Sequence, residues 1–545
     1  MVSTPRQESS DDLVRRLAEL NQIGVALSQE KDLDRLLETI LLAIKKTTNA
    51  DGGTLYRHQP GKNTLTFAII RTDSLRIAMG GTTGVKIPYA PILLRDAQGR
   101  ENTSMVVAFT VLKGRTVAIA DAYQEQGFDF TGTKAFDRYT GYHSQSFLTV
   151  PMKNHTDEII GVLQLINARD RATGEIVPFS ETDQRLAESL ASQAAVALTN
   201  RLLILQLENL FESFVGLLNK AIDEKSAYTG GHCHRVPVLT MLLAEAVHEA
   251  KSGPLSSWRL TDPDRYELKI AALLHDCGKV TTPVHVVDKA RKLQTLFDRI
   301  HLVDTRFEIL KRDAELAALR AGSAPGAGAK AVDQAYRARL WEIQEDREFL
   351  RLCNIGGEGM TAEDQERVRA IAKKYRWRNP TGEEVDFLTA DEIENLTIRA
   401  GTLTAAERQI INHHIEVTIQ MLEALPWPRH LQKVPEYAAG HHERMDGKGY
   451  PRGLTRDQMS VQARIMGIAD IFEALTARDR PYKPGKTLTE SLHILGKMRL
   501  DGHIDPDLFD IFIRARVYER YAKDHLAPAQ VDTVDVTKIP GYSGD

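Results

Sequence analysis

"LLHDCGKV", residues 273–280, sets a histidine beside an aspartate at the end of an apolar run, with a glycine and a lysine just beyond. Neither polar side chain can be buried there alone, because an uncompensated polar group in an apolar interior costs roughly 2–7 kcal/mol. If the partner is a metal ion, further ligands must come from elsewhere in the chain. From about residue 221 onward nearly everything reads as helix, broken by "TGGH", "TTPVH", "AGSAPGAGAKA" and "MDGKGYPRG". In that half "YTGGHCHRV" supplies His232 and His234, and "INHHIEV" supplies His413 and His414. "AAGHHERMDGKGYP" supplies His441, His442 and Asp446, while "GIADIFEAL" supplies Asp470.

Helical phase sorts these. Ile410, His414, Val417 and Met421 fall at i, i+4, i+7 and i+11, which puts His414 on the core-facing stripe and His413 toward solvent. Asp470 lies in an apolar helix among Ile465, Ile468, Phe472 and Leu475, where a bare carboxylate is costly. Any one of the histidines taken alone reads more readily as a core side chain bonded to a carbonyl. Five histidines and two aspartates at interior positions of one helical region point instead to metal. Nitrogen and carboxylate donors without thiolate suit iron, manganese, zinc or similar first-row ions, and the donors alone leave the identity open. Seven ligands exceed the needs of one ion. A carboxylate bridging two ions accounts for the number, and paired metals are a common device for phosphoryl displacement.

The bulk properties frame this. A chain of 545 residues is too long for one core and predicts two or three domains. With 42% hydrophobic and 26% charged residues it reads as an ordinary globular protein, and a net charge of −4 gives no case for nucleic acid or an anionic membrane as partner. Cys233, Cys277 and Cys353 are the only cysteines and no two have C-x-x-C spacing, which excludes a zinc ribbon or disulfide framework and fits a reducing compartment. "MVSTPRQESSDD" has no apolar signal-like stretch and no run approaches about 18 apolar residues, so a cytoplasmic protein without a membrane span is expected.

The first half has a different texture. "GGTLYRH", "TLTFAII", "RTVAIAD", "SFLTVPM" and "EIIGVLQLI" are short β-prone runs between turn residues, preceded by a helical stretch and followed by "SETDQRLAESLASQAAVALTNRLL". Ser180 and Asp183 make a capping-box pattern at the start of that last helix. An α+β domain follows, an antiparallel sheet flanked by helices. Leu203, Leu207, Leu210, Phe214 and Leu217 are spaced 4, 3, 4 and 3 apart, which fits the seam of a dimeric coiled coil or a helix packed on its own domain. The charged segment 311–400 reads as inserted helices with solvated faces.

"HDCGK" resembles the HD superfamily of metal-dependent phosphohydrolases. "HHERMDGKGYP" followed by "ARIMGIADIFEALTARDRPY" resembles its HD-GYP branch, which hydrolyses cyclic di-GMP. The likeness covers roughly 225–310 and 401–500. It implies an all-α domain over 225–525, with an insertion at about 311–400 and a C-terminal tail over 526–545. It further implies two divalent metal ions per chain. His232, His275, Asp276 and Asp470 would hold the first, and His414, His441 and His442 the second, with Asp276 as the bridge. Lys279 would contact the scissile phosphate, Gly449, Tyr450 and Pro451 would line the substrate side, and Arg235 would face a phosphate or pair with a helix neighbour. The products would be pGpG or GMP, and 3′,3′-cGMP-AMP is an allowed alternative substrate. A catalytically silent receptor is the rival reading. Some relatives carry a glutamate four residues before the first histidine and bind a third metal; Tyr228 stands there, so two metals are expected. "ARKLQTLFDRIHLVDTRFEIL" (290–310) and "AGTLTAAERQIINHHIEVTIQML" (400–422) both resemble one family helix, so His301 competes with His414 as a ligand.

Residues 18–204 resemble a GAF domain, a small-molecule sensor module, after a flexible tail over 1–17 and before a linker helix over 205–224. "FDRYTGYHSQSFLTVPM" and "IIGVLQLIN" resemble the GAF domains of cyclic-nucleotide phosphodiesterases and cyclases. Their signature is only partly kept: Asn167, Phe179 and Asp183 fit, while Ala168 and Gln184 stand at its lysine and glutamate positions. A cyclic nucleotide held by Asn167, Phe179 and Asp183, another ligand, and a purely dimerising module all stay open. With no cysteine before residue 230, a thioether-linked bilin or thiolate-held cluster is excluded there. The whole reads as a homodimer joined through the linker helix and GAF domain.

Overall fold

The computed structural model describes residues 21–226, 231–323, 328–357, 359–478, 485–542 and 544. Two compact units divide the chain, Met1–Leu210 and Phe211–Asp545. The tail expected over 1–17 lies outside the described residues.

In the first unit, helix α1 (Leu33–Thr47) starts where the Asp32 carboxylate accepts the Arg35 amide, and it buries Leu36, Leu37, Ile40, Leu41 and Ile44 at helical spacing. Strands β1 (Ala50–Gln59), β2 (Thr64–Thr72), β3 (Ile77–Gly80) and β4 (Ile92–Leu93) follow. Helix α2 (Val106–Lys113), β5 (Val117–Ile119), α3 (Thr131–Thr140), β6 (Phe147–Lys153), β7 (Ile159–Arg169) and β8 (Ile176–Val177) complete the sheet region. The sheet is antiparallel in the order β3-β2-β1-β7-β6-β5, with β4 on β2 and β8 on β7. Leu55 faces Leu163, and Leu163 faces Val150, across neighbouring strands. These side chains join Leu41 and Ile44 of α1 and Ala191, Ala194 and Leu198 of helix α4 (Glu181–Lys225) in one core. The alternate residues Tyr56 and Val162 pack instead with Val107 of α2, as the two-residue period of a strand requires. The expected α+β sheet with flanking helices is therefore what forms. Ser180 and Asp183 make the reciprocal capping box at the start of α4, the Asp183 carboxylate accepting the Ser180 amide and hydroxyl.

The second unit begins within α4 and continues as α5 (His232–Glu249), α6 (Asp262–Leu274), α7 (Val284–Val287), α8 (Ile300–Gly322), α9 (Ala329–Asn354) and α10 (Ala362–Lys374). After strands β9 (Arg376–Arg378) and β10 (Glu384–Asp386) come α11 (Ala390–Leu396), α12 (Ala405–Glu423), α13 (Val434–Ala439), α14 (Val461–Thr476), α15 (Leu488–Leu500), α16 (Pro506–Arg514) and α17 (Val517–His525). It is almost wholly helical. One core joins Leu239, Leu243 and Ile270 near its start to Ile468, Phe472, Phe509 and Phe512 near its end. A separate core, Leu293, Val303, Phe307, Ile343, Leu350, Tyr375, Phe387 and Leu396, belongs to the inserted segment.

Three details differ from the sequence reading. The insertion was expected over 311–400, yet α8 runs unbroken through position 311 and the insertion's core already includes Leu293 and Val303. Strands were expected to stop before residue 221, but β9 and β10 form a short hairpin around the Gly382 turn. Residues 526–542, expected as a C-terminal tail, pack on the helical unit. Ile539 is buried in the helical core, and Gln530 Nε2 donates to the carbonyls of Thr476 and Lys486. Gly496 leaves room for this segment, since a Cβ there would lie 2.3 Å from the Pro540 carbonyl oxygen.

Candidate metal centre

Helix α6 stops at Leu274, and the chain tightens into a 3-10 turn at Cys277–Thr281, so His275 and Asp276 sit at the junction. Both are buried. Helix α12 crosses this turn so closely that a Cβ on Gly278 would lie 2.0 Å from the His414 carbonyl oxygen. The Gly278 amide donates to the Thr418 hydroxyl at 2.9 Å. This contact brings His414 up to Asp276. His232 enters from the first turn of α5, His441 and His442 from the turn after α13, and Asp470 from the middle of α14.

All seven residues meet in one centre, with Asp276 in the middle. Its Oδ2 lies 3.1 Å from His232 Nε2 and 3.3 Å from His275 Nε2, while its Oδ1 lies 3.3 Å from His414 Nε2. Asp470 Oδ1 closes the first group, 3.2 Å from His232 Nε2 and 3.8 Å from His275 Nε2. His232, His275 and Asp276 form one set of converging donor atoms, and His414, His441 and His442 form another.

The donor chemistry calls for cations. His275, His414 and His441 each give the Nδ1 hydrogen to a backbone carbonyl, of Ala272, Ile411 and Ala438 at 2.7, 2.6 and 2.6 Å. Their Nε2 atoms therefore carry lone pairs, which is how a neutral imidazole presents itself to a metal. Two such lone-pair nitrogens face other ring nitrogens at 3.3 Å: His275 toward His232, and His414 toward His442. Among the described residues, the buried His441 Nε2 and Asp276 Oδ1 have no hydrogen-bond partner. Burial, with His275 next to it, holds His441 at a pKa of about 4, so it stays neutral at physiological pH. Burial opposes the charge on Asp276, but Lys279 and the surrounding histidines outweigh it and hold its carboxyl well below the usual range. A pair of divalent ions would satisfy these facing nitrogens and the carboxylate oxygen, held by His232, His275, Asp276 and Asp470 on one side and His414, His441 and His442 on the other. The residues fit a binuclear centre and leave the metal's identity open.

The surroundings orient these donors. Lys279 Nζ lies 2.5 Å from Asp276 Oδ2. His232 turns its Nδ1 to the carboxylate of Glu473, which also accepts Arg235 Nε at 2.6 Å. Arg235 thus pairs with a carboxylate on another helix, α14. Glu473 was missed; its trace in the sequence is the three-residue spacing from Asp470 on one helix face. Glu443 was missed too. Its carboxylate accepts the amides of Arg452 and Leu454 at 2.8 and 2.9 Å, pinning the loop that carries Gly449, Tyr450 and Pro451. Gly449 lies against the backbone of Glu443 and Arg444, where a Cβ would come within 2.4 Å of the Arg444 amide nitrogen. The Tyr450 ring stacks on His442 with centroids 4.8 Å apart, and Pro451 follows it through a cis peptide bond.

The other candidates fall elsewhere. His301 is exposed on α8, and the structure brings His414, not His301, to Asp276. His413 is exposed and pairs with Glu416, and Asp446 pairs with Arg444. Tyr228 lies outside the described residues. In the first unit Asn167 is buried, with Oδ1 accepting the amides of Gln145 and Ser146 and Nδ2 donating to the His143 carbonyl. Phe179 packs at the edge of the main core, and Asp183 caps α4. The Asn167 amide and one Asp183 carboxylate oxygen are thus bonded within the unit.

A GAF domain model matches residues 32–198, and HD domain models match residues 229–352 and 359–508. The first HD match holds His232, His275 and Asp276, and the second holds His414, His441, His442 and Asp470. Both matches therefore feed one metal centre. A cyclic di-GMP phosphodiesterase of Pseudomonas aeruginosa is 35% identical over 117 residues, covering 22% of this chain and 27% of that protein. A 3′3′-cGAMP-specific phosphodiesterase of Vibrio cholerae is 36% identical over 124 residues, covering 22% of this chain and 27% of that protein. A cyclic di-GMP phosphodiesterase of Thermotoga maritima is 34% identical over 122 residues, 22% of this chain and 32% of that protein. The chain thus spans about a quarter to a third of the length of these curated relatives. The chain carries an N-terminal GAF domain and an HD-superfamily region homologous to cyclic dinucleotide phosphodiesterases.

Proposed function

We propose that the helical unit is a binuclear metal-dependent phosphodiesterase of the HD-GYP branch, hydrolysing a 3′,5′-cyclic dinucleotide, and that the GAF unit regulates it. The substrate is cyclic di-GMP or 3′3′-cGAMP, since relatives named for each align about equally well. The observation that carries the reading is Asp276, buried between two donor sets with one carboxylate oxygen toward each. Two bound divalent ions would supply a polarised water nucleophile and charge neutralisation at the phosphate. The chain supplies the rest. Asp276 and Asp470 hold negative charge in a dry site and keep the histidine donors in place. Lys279, kept protonated by Asp276 and Asp470 against the cost of burial, stands ready to meet a developing phosphate oxyanion. The loop pinned by Glu443 sets the Tyr450 ring beside the centre, where a nucleobase or ribose face can rest on it.

The test is turnover of cyclic di-GMP and of 3′3′-cGAMP by protein purified without chelator and without air, with metal analysis on the same sample. Two metals per chain and linear dinucleotide or mononucleotide products are expected. Asp276→Ala and His275→Ala are expected to abolish turnover and to lower the metal content. Two bound metals with neither substrate hydrolysed would overturn the assignment in favour of a receptor. Activity surviving in Asp276→Ala would overturn the binuclear mechanism.

A further inference from the structure

Helix α12 is fastened to the histidine–aspartate segment on both sides of His414. Beyond His414, the Thr418 hydroxyl accepts the Gly278 amide at 2.9 Å. Before it, the Glu407 carboxylate accepts Lys289 Nζ at 2.8 and 2.7 Å. Glu407, His414 and Thr418 fall at i, i+7 and i+11, on one face of the helix. Gly278 and Lys289 both come from the stretch that follows His275 and Asp276, with α7 between them. The distance from His414 to the turn is therefore set by two attachments, a hydrogen bond and an ion pair.

The ion pair is where the inserted segment joins this arrangement. Lys289 is buried, and the third acceptor for its three hydrogens is Asn395 Oδ1 at 2.7 Å. Asn395 stands in the last turn of α11, and its Nδ2 donates to the Asp391 carbonyl at 2.8 Å, which turns its oxygen toward the lysine. Three residues on, the buried Lys292 gives its Nζ hydrogens to the carbonyls of Leu396 and Ile398 at 3.2 and 2.7 Å. One helix end of the insertion thus holds both lysines, and cations are favoured at that end of a helix. Glu407 is also the N3 residue of the α12 capping box, its carboxylate accepting the Thr404 amide at 2.9 Å. A shift of Lys289 therefore moves the first turn of α12. The helix carries that shift across two turns, about 10 Å, to His414.

Resting on the binuclear centre, we propose that Lys289 is a positioning residue for the second donor set, His414, His441 and His442. Through Asn395, the inserted segment sets how tightly that set binds its ion. His232, His275, Asp276 and Asp470 come from α5, the turn and α14, so the first set does not depend on α12.

The experiment strips the full chain of metal and titrates it with manganese against a calibrated chelator. Two ions per chain are expected. His442→Ala disables the second donor set and His232→Ala the first, so each background reports on the other set alone. Lys289→Met is expected to lower manganese affinity about tenfold or more in the His232→Ala chain, the scale seen for groups behind a metal ligand, and to leave the His442→Ala chain unchanged. Asn395→Ala keeps the ion pair and is expected to give a smaller loss with the same selectivity; if Lys289→Met does not fold, it decides alone. Equal losses in the two backgrounds would make Lys289 a general support of the fold and overturn the proposal, as would no loss in either. No loss with Asn395→Ala would overturn the insertion's part in it. An unsubstituted chain that binds no manganese would overturn the binuclear centre itself, and the proposal with it.

Discussion

The carboxylate of Glu473 is shared between His232 Nδ1 and Arg235 Nε, in a spot where it is almost wholly buried. By accepting the Nδ1 hydrogen it leaves His232 Nε2 free to face Asp276 and Asp470, and its charge makes that nitrogen a better donor. Glu473→Gln keeps the shape and removes the charge. Metal affinity of the centre is expected to fall about 10–100-fold, as for other carboxylates behind a ligating histidine. Competition with a calibrated chelator measures it; unchanged affinity would show that Glu473 merely fills space. Gly278→Ala tests the crossing of α12 over the histidine–aspartate turn. The added methyl meets backbone, which cannot swing aside, so a loss of about 1–3 kcal/mol in denaturant unfolding is expected, with a lower metal content. The ligands themselves were legible because histidines and aspartates at core-facing positions have no cheap alternative explanation. Glu473 was not: a glutamate on a helix looks solvated until the fold brings it to Arg235, 238 positions away in the chain.

Elements were legible where their period is unambiguous and illegible where two meanings share one period. The β-prone runs that form β1 and β7 could be read directly from residue type and the turn residues around them. The start of the insertion could not, because Ile300, Val303, Phe307 and Leu310 follow the same helical spacing whether they pack in the main core or, as they do, in a core of their own. That separate core is tied at one end by Arg306, whose guanidinium meets the Glu392 carboxylate at 2.7 and 2.9 Å, with both side chains largely buried. Burial would raise the Glu392 pKa, but the hydrogen bond from Arg306 and the Thr389 cap outweigh it and hold the carboxyl below 4.5. A depressed carboxyl pKa adds stability that is present above the unfolded value and is lost as pH falls through the folded one. Hydrogen exchange in α11 is therefore expected to quicken as the solution is acidified below about pH 4.5, and Arg306→Leu is expected to cost about 3–5 kcal/mol by stranding the carboxylate. A protection pattern in α11 that ignores both acid and the substitution would remove this pair as the tie.

On the scale of the whole molecule, the two HD domain matches divide the ligands so that neither segment can make the centre alone. A bound metal would then be a fastener between parts of one core that lie far apart in the chain, and its binding energy would be folding energy for that core. Without ions, facing lone pairs and an unpartnered carboxylate oxygen stay buried together. The sheet unit owns its hydrophobic core and contributes none of these ligands. Calorimetry of the full chain, before and after metal is stripped and the stripping verified by elemental analysis, is expected to show the unfolding of the helical unit moved down by at least a few degrees. Unfolding of the sheet unit should stay in place. Adding back manganese should raise the shifted transition with the logarithm of its concentration, about 2.7 kcal/mol at a hundredfold excess over the dissociation constant. If stripping moves neither transition, the seven residues are held by the fold without need of ions, and His275 and Asp276 lose the partner that their position beside an apolar run demands.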